Sequence, residues 1–445
     1  MHTTTEWWRP ESLRLPDLAT RTQFNFALKT DDSVFAYRAL IAFLFVLLIS
    51  PQSIFPVLAP LRLAMLAVAL AVTAHIAGRF RIGRPVMEYT PETALAVWLV
   101  GWAILTVPFS LWPGGSVTFL LEFYLKTLVL FWLLVNVINT LPRLRTIAWA
   151  LSLMSVPIAL TGVKNYLAGV FFIEGSGRVE GYSAPLTGNP NDLALMLNLL
   201  IPISIALLLS NKKPLIRLIL IAIISLNVLA VFMTYSRAGF LTLAVILMVY
   251  TWMLRKRPER RWAYLILFGI IMATPFAPSN YVDRINTITN IEEDQSGSAQ
   301  QRWADMTLAT QYVIKHPFTG AGLGMNVVAM DRERGSYGTA IHNVYLQYAV
   351  ELGLPGLILF VLLLKTSIKN VSTIQKRLQD HQPADIFYLA EGIRISLIAF
   401  AVAAMFHPVG YHFYFYIIAG LSAAIKIIFD AGIRSHTENA SSPAV

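Results

Sequence analysis

The chain alternates between long apolar runs and short polar connections. A helix that crosses a membrane needs about 20 mostly apolar residues, and twelve runs of the chain approach or reach that length. The pattern predicts an all-α polytopic integral membrane protein. The predicted spans are 35–50, 53–77, 92–112, 117–139, 146–169, 192–210, 215–234, 237–254, 262–277, 343–364, 387–406 and 411–429.

Composition indicates the same class. Hydrophobic residues make up 56% of the 445 residues and charged residues 13%, whereas a soluble domain is typically about 25% charged. The chain has no cysteine, which excludes disulfides, thiolate catalysis and cysteine metal sites. The first 34 residues are polar and lack the pattern of a signal peptide.

Positive charge is distributed by side. The net charge is +10, and most Lys and Arg residues lie in alternate connections, including the run RKRPERR at 255–261. Cytoplasmic loops of membrane proteins carry an excess of Lys and Arg, so both termini are predicted to be cytoplasmic. The positive net charge is explained by this topology and gives no reason to expect nucleic-acid binding. The chain then divides into a cytoplasmic tail (1–34), nine spans (35–277), a large external loop (278–342), three spans (343–429) and a cytoplasmic tail (430–445).

Two external connections are long, and a long external loop in so apolar a chain is where function is expected. The first, about 170–191, holds Arg178 among glycines, where it is either a solvated loop residue or an anion ligand. A third, very short connection, TYSRAGF at 234–240, holds Arg237 as its one charge. Arg237 is either a snorkelling anchor or, because charge at a membrane boundary is costly, part of an anion site.

The large loop contains SAQQRWADMTLATQYVIKHPFTGAGLGMN at 298–326. Ser298 and Gln301 have the spacing of a capping box, and His316-Pro317 ends the predicted helix. Arg302 falls in its first turn, where a basic residue opposes the helix dipole and therefore serves either an anion or the helix surface. The GAGLG run is predicted to form turns. An amphipathic helix is predicted from apolar positions at helical spacing, namely Trp303, Met306, Ala309, Thr310, Val313 and Ile314.

The tenth span opens with AIHNVYLQYAVELGLPG at 340–356. His342 lies at its external mouth, where it either caps the helix or takes a proton from a hydroxyl group. Asn343, Gln347 and Glu351 are spaced by four residues and so share one face, which is expected to point into the bundle. Pro355 cannot donate to the carbonyl of Glu351, so the helix is weakened there.

Two further charged pairs lie within predicted spans. Glu122 and Lys126 are four residues apart, and Glu391 and Arg394 are three apart. Such spacing favours ion pairs within a helix. Both pairs are interpreted as structural.

The external arginines and the histidine together suggest one chemistry. The sequence has no P-loop, no H-E-x-x-H motif and no aspartate-rich metal site. Arginine binds phosphate oxygens through two parallel hydrogen bonds. The cluster therefore suits a pyrophosphate or phosphate on a membrane-borne substrate, without a metal or other cofactor.

The motifs HNVYLQYAVELGLPG, RWADMTLATQYVIKHPFTGAGLGMN and YSRAG, with GNPNDLA at 188–194, resemble the O-antigen ligase superfamily of ligases, polymerases and protein O-oligosaccharyltransferases. The resemblance covers about 175–360. It implies a metal-independent, GT-C-like membrane glycosyltransferase of the bacterial inner membrane with a periplasmic active site. Its donor would be a glycan on undecaprenyl pyrophosphate, and its acceptor a hydroxyl of lipid A–core or another glycan.

By the same resemblance, His342 is the proposed base, Arg237 and Arg302 bind the pyrophosphate, and Arg178 is a third such ligand. A short internal tail argues against the protein-modifying branch. The single large loop just before the His342 helix favours a ligase, with a polymerase of O-antigen or exopolysaccharide as the alternative. A secondary transporter also has twelve spans, but the halves show no repeat.

Overall fold

The computed structural model describes residues 33–171, 178–182, 186–255, 257, 260–261, 298–335, 340–378 and 385–441. Within these ranges the chain forms helices and turns and no strand. The main helices are α1 (Val34–Ile49), α2 (Leu63–Arg81), α3 (Pro91–Thr106), α4 (Pro113–Val137), α5 (Leu141–Leu167), α6 (Pro190–Ser210), α7 (Pro214–Met233), α8 (Arg237–Leu254), α9 (Ser298–Lys315), α10 (Asn326–Arg334), α11 (Val344–Leu378), α12 (Asp385–Ala403) and α13 (Phe413–Ser441).

Ten of the described helical segments are long and apolar enough to cross a membrane. The all-α polytopic class is therefore confirmed. The segment Val34–Ile49 is apolar but shorter, and the predicted span at 262–277 lies outside the described residues. The total of twelve thus stays a prediction.

Helices α6, α12 and α13 form the centre of the bundle. Between 72% and 78% of the most apolar window of each is buried, whereas the corresponding figure for the segment Pro56–Arg81 is 11%. In a membrane an apolar helix surface can face either lipid or protein, so packing decides which helices are central. Close packing at the centre needs small residues: a Cβ on Gly392 of α12 would lie 2.6 Å from the carbonyl oxygen of Pro202 in α6.

Polar side chains tie the helices together inside the bundle. Asn198 donates to the carbonyl of Gly239 at 2.8 Å, and Asn227 donates to the hydroxyl of Ser155 at 2.8 Å. Each hydrogen bond satisfies a group that could not be hydrated at that depth. The apolar runs therefore carry their few polar residues at helix–helix contacts.

The two ion pairs predicted within spans, Glu122–Lys126 and Glu391–Arg394, are not formed among the described residues. Glu391 pairs instead with Arg257, at 2.6 Å, and accepts from Gln375 at 3.3 Å. Glu122 and Lys126 form no ion pair in the described structure, because the chain makes a π-turn over Leu120–Tyr124 that changes their spacing around the helix.

One end of the bundle gathers the polar connections. We call it the loop end. It consists of residues 107–112, 178–182, 186–189, 234–236, 298–335, 340–343 and 404–412. The described part of the large loop lies here against α11 and the connection between α3 and α4. Most of the predicted site residues lie in these ranges, Arg237 directly follows one of them, and Glu351 binds the loop from within α11. The assignment of the loop end to the periplasmic side, and of both termini to the cytoplasm, stays a prediction.

Candidate active site

Helix α11 begins at Val344 because the residue before it supplies the cap. The side-chain Oδ1 of Asn343 accepts a hydrogen bond from the N–H of Leu346 at 3.1 Å, as an N-cap residue does. The N–H of Val344 donates to the carbonyl of Ala404 at 2.7 Å, which fixes the start of α11 to the end of α12. Asn343 thus positions His342 through the backbone.

Helix α11 is interrupted at Gly353, whose φ is 67°. The carbonyl of Val350 accepts from the N–H of Ala321 at 2.7 Å instead of from its helical partner. That partner, the N–H of Leu354, donates to the carbonyl of Pro317 at 2.7 Å. The backbone groups that the kink removes from the helix are therefore paired with the large loop, as buried backbone groups must be.

Glu351 holds the next part of the same loop. Pro355 has no N–H, so the carbonyl of Glu351 accepts from Gly322 at 2.8 Å. The carboxylate accepts from the N–H of Gly324 at 2.8 Å and from the side-chain amide of Asn326. Glu351 is fully buried, and this set of donors compensates its charge. Its predicted supporting role is thus one of anchoring the loop.

Asn326 extends this anchor to the site. Its side-chain nitrogen donates to Glu351, and its Oδ1 accepts from the N–H of Ile341 at 3.3 Å. Ile341 is the residue before His342. The carboxylate inside the helix therefore fixes the histidine at the mouth of the helix, through one amide side chain.

The GAGLG segment forms turns, as predicted. Gly320 has a φ of 65°, which a residue with a side chain rarely adopts. A Cβ at this position would also lie 2.5 Å from the carbonyl oxygen of Val350. The segment needs glycine here so that its backbone can lie directly on α11.

Helix α9 carries Arg302 beside α11. Asp305, one turn later, is 4% exposed and pairs with Arg334 of α10. The positive charge of Arg302 acts on the rings of both His342 and His407. An arginine that is unfavourable for its own helix is therefore held next to two imidazoles.

The predicted apolar stripe of α9 is only partly buried. Ala309 is buried, but Trp303, Thr310 and Ile314 are exposed. The helix packs instead through the face that carries Ala309 and Tyr312. The predicted helix is therefore formed, but apolar spacing alone does not determine which of these positions pack against protein.

His342 is half-buried at the start of α11. Burial first and the charge of Arg302 second lower the pKa of His342 to about 4, although the carbonyl of Ala340 and the carboxylate of Asp305 act in the opposite direction. The buried Nδ1 has no hydrogen-bond partner among the described residues. At neutral pH the ring is therefore neutral and has a nitrogen able to accept a proton.

A second histidine, His407, lies in the same cluster and was not predicted. Its Nδ1 is 2.8 Å from the carbonyl oxygen of Ala403, and its Nε2 is 3.3 Å from that of Asn191. Burial and then the charge of Arg302 keep the pKa of His407 below its usual range, against the effect of the two carbonyls. The sequence signal was the histidine in FHPVG, just after a predicted span, but only packing relates it to His342.

The N-cap of helix α6 is Asn189. Its side-chain oxygen accepts from the N–H groups of Asn191 and Asp192, each at 2.9 Å. Because Asn189 performs that role, the side chain of Asn191 is available for another contact.

Asn191 joins three parts of the loop end. Its Oδ1 accepts from the guanidinium of Arg178 at 3.0 Å and from the hydroxyl of Ser236 at 2.8 Å. Ser236 is the N-cap of α8, so the next residue, Arg237, occupies the first turn of that helix. The carbonyl of Asn191 meanwhile faces His407. The first external loop, the start of α8 and the histidine cluster are thereby connected.

The structure thus forms two linked groups from the predicted residues. Arg302 interacts electrostatically with His342 and with His407. Arg178 and the start of α8, which carries Arg237, meet at Asn191. Asn343 and Glu351 stand behind His342 and act on backbone. Their roles in binding or catalysis stay predictions.

The described residues hold no group of three or more His, Asp or Glu side chains of the kind that binds a metal ion. The arrangement can therefore offer a neutral imidazole next to guanidinium groups at the end of a membrane bundle. That combination suits deprotonation of a hydroxyl beside a bound anion.

Comparison with known proteins gives one match and one negative result. Residues 220–361 match the O-antigen ligase family. The matched region includes Arg237, Arg302, His342 and Glu351. No curated protein matches the chain. Members of the family are ligases and polymerases of glycosyltransferase type, and the match, with the ten membrane-spanning helices, supports a multi-pass inner-membrane location. Residues 220–361 therefore match an O-antigen ligase family domain, and this match supports a relation to the O-antigen ligase superfamily.

Proposed function

We propose that the protein is an O-antigen ligase that transfers a glycan from undecaprenyl pyrophosphate to a hydroxyl of lipid A–core at the periplasmic face. The observation that carries the proposal is the electrostatic interaction of Arg302 with a neutral His342 at the loop end. A neutral base within the electrostatic range of a guanidinium group supports transfer from a pyrophosphate donor.

In the proposed step the acceptor hydroxyl gives its proton to the imidazole of His342. The acceptor oxygen forms a bond to the anomeric carbon of the donor sugar, and the bond from that carbon to the pyrophosphate oxygen breaks. The electron pair leaves with the pyrophosphate. Guanidinium groups stabilise the charge that develops there, and no metal or cofactor takes part.

The three arginines differ in how closely the structure relates them to the two histidines. Arg302 is beside His342, and Arg178 lies against Asn191, whose carbonyl faces His407. Arg237 occupies the first turn of α8, next to the N-cap that also binds Asn191. We assign the pyrophosphate to Arg302 and Arg237 and a third contact to Arg178.

The ligase is favoured over a polymerase because one large loop precedes α11 and contains α9. The test is a lipopolysaccharide gel from the source bacterium with this gene deleted. A ligase predicts complete loss of O-antigen from lipid A–core, with lipid-linked polymer accumulating. A core that carries a single repeat unit would instead indicate a polymerase.

An unchanged lipopolysaccharide ladder would contradict a role in O-antigen assembly and would mean that the glycan goes elsewhere, as for an exopolysaccharide polymerase, or that the protein moves a substrate. A transporter is tested separately, with purified protein in detergent. Transfer of sugar between lipid-linked donor and acceptor, in the absence of any sealed compartment, would exclude it.

A further inference from the structure

The exposed side of α9 is apolar along one edge. Trp303 is 65% exposed and Ile314 is 73% exposed. They are separated by eleven residues, three helical turns, with exposed Thr307 and Thr310 between them on the same line. Phe318, 72% exposed, continues this line beyond the end of the helix. We call Trp303, Ile314 and Phe318 the apolar edge.

The rest of the exposed surface of α9 is polar. Gln311 and Lys315 are exposed and lie about 80–120° around the helix from Trp303. Lys315 pairs with Glu333 at 2.6 Å. A helix that exposes an apolar edge beside a polar edge is typical of one that lies in a membrane interface.

The level of Phe318 relative to the membrane follows from α11. Asn370 binds Glu92, in the first turn of α3, close to the ion pair of Arg79 and Glu88 at 3.3 Å. These charged groups mark one boundary of the hydrocarbon. Gly353 lies seventeen residues along α11 from Asn370, about 25 Å, compared with a hydrocarbon thickness of about 30 Å.

Phe318 lies at that same level. A Cβ on Gly353 would meet the carbonyl oxygen of Phe318 at 2.2 Å, so the two backbones are in contact. On the neighbouring α3, Phe109 is also about 25 Å from Glu92 and is 65% exposed. The backbone near Phe109 reaches the same loop, since Leu111 donates to Ala321 at 2.8 Å.

The apolar edge therefore continues the lipid-facing band of the membrane helices. Leu354 and Ile358 of α11 are exposed on the membrane side of the kink, and Phe318 follows directly above them. From Phe318 the edge runs along α9 to Trp303, next to Arg302. We infer that α9 lies in the membrane interface at the loop end, with Trp303, Ile314 and Phe318 inserted among the lipids, so that Arg302 is held at the level of the lipid phosphates.

The test uses the natural absence of cysteine. Single-cysteine variants Trp303→Cys, Ile314→Cys and Phe318→Cys carry a nitroxide label and are reconstituted in vesicles of phosphatidylethanolamine and phosphatidylglycerol. Gln311→Cys, on the polar edge of the same helix, is the matched control. Electron paramagnetic resonance measures collisions of each label with oxygen, which concentrates in lipid, and with a water-soluble nickel complex.

The labels at 314 and 318 are expected to show an oxygen-to-nickel collision ratio about threefold or more above that at 311, with 303 intermediate, because interfacial helices bury their apolar face about 5–10 Å deep. Equal ratios at all four positions would show that the edge faces water and would overturn the inference. Labels shielded from both reagents would show a covering protein and would also overturn it. Equal thermal unfolding of the four variants confirms that the labels leave the fold intact.

Discussion

The carbonyl oxygen of Asn191 lies 3.3 Å from Nε2 of His407, and this contact joins the two groups of predicted residues. The side-chain oxygen of Asn191 accepts hydrogen bonds from Arg178 and from Ser236, the N-cap of α8. His407 stands beside Arg302 and His342. Residues that are far apart in the sequence therefore share one site because the connection before α6 and the connection after α12 meet at the loop end.

His407→Phe tests whether that contact positions the site. The ring volume is kept, but both carbonyl contacts are lost, so turnover should fall about 10–100-fold, as for a misplaced catalytic group, while KM for the donor changes little. His412→Phe is the control, since His412 packs on Phe123 at 4.7 Å. A KM rise without a fall in kcat would contradict a positioning role.

His342→Ala tests the base. Transfer should fall by about 10²–10⁴-fold, the usual contribution of a general base, while binding of the pyrophosphate lipid to purified protein is retained. Binding is measured by titration, and turnover by transfer of labelled glycan. Turnover like that of the wild type would remove His342 from the mechanism.

Arg302→Ala and Arg237→Ala test the placement of the pyrophosphate. Each should weaken donor binding about 10–100-fold, because a charge-assisted hydrogen bond contributes about 1.5–3 kcal/mol. Arg332→Ala is the matched control, an exposed arginine of the same loop, and should bind the donor normally. If the two variants lost affinity for the acceptor alone, the diphosphate would have to lie elsewhere.

The pH dependence of kcat/KM tests the electrostatic link between Arg302 and His342. The pKa of His342 is lowered to about 4 by burial and by Arg302, and the base must be neutral, so activity should be level from pH 8 to about 5 and fall below that. In Arg302→Ala the loss of a positive neighbour raises this pKa. The acid limb should therefore move toward the ordinary histidine value of about 6.5, and an unmoved limb would show that the two groups do not interact.

Gly353→Ala tests the anchor between α11 and the large loop. The φ of 67° and a contact of 2.2 Å with Phe318 should together destabilise the protein by about 2–3 kcal/mol. Gly335→Ala is the control: its φ is 72°, but a Cβ there meets nothing within 4 Å. It should show the cost of a left-handed residue without a steric contact, about 1 kcal/mol. Equal unfolding temperatures for the two variants would show that the loop contact does not contribute.

The sequence by itself determined the class and most of the elements. Apolar runs of membrane length predict spanning helices because backbone polar groups in lipid must be paired within the segment. The runs that lie in the described residues are helices. The break after Glu351 also followed from Pro355, which lacks an N–H. These features depend on neighbours in the chain.

The tertiary structure decided what distant residues do. It paired Glu391 with Arg257 and placed the N–H of Gly324 where it donates to the carboxylate of Glu351. It also brought His407 within the electrostatic range of Arg302. The physical reason is that a buried polar group takes whichever partner packing brings within hydrogen-bond distance. Spacing along one helix determines which residues share a face, but which segment covers that face depends on the whole bundle.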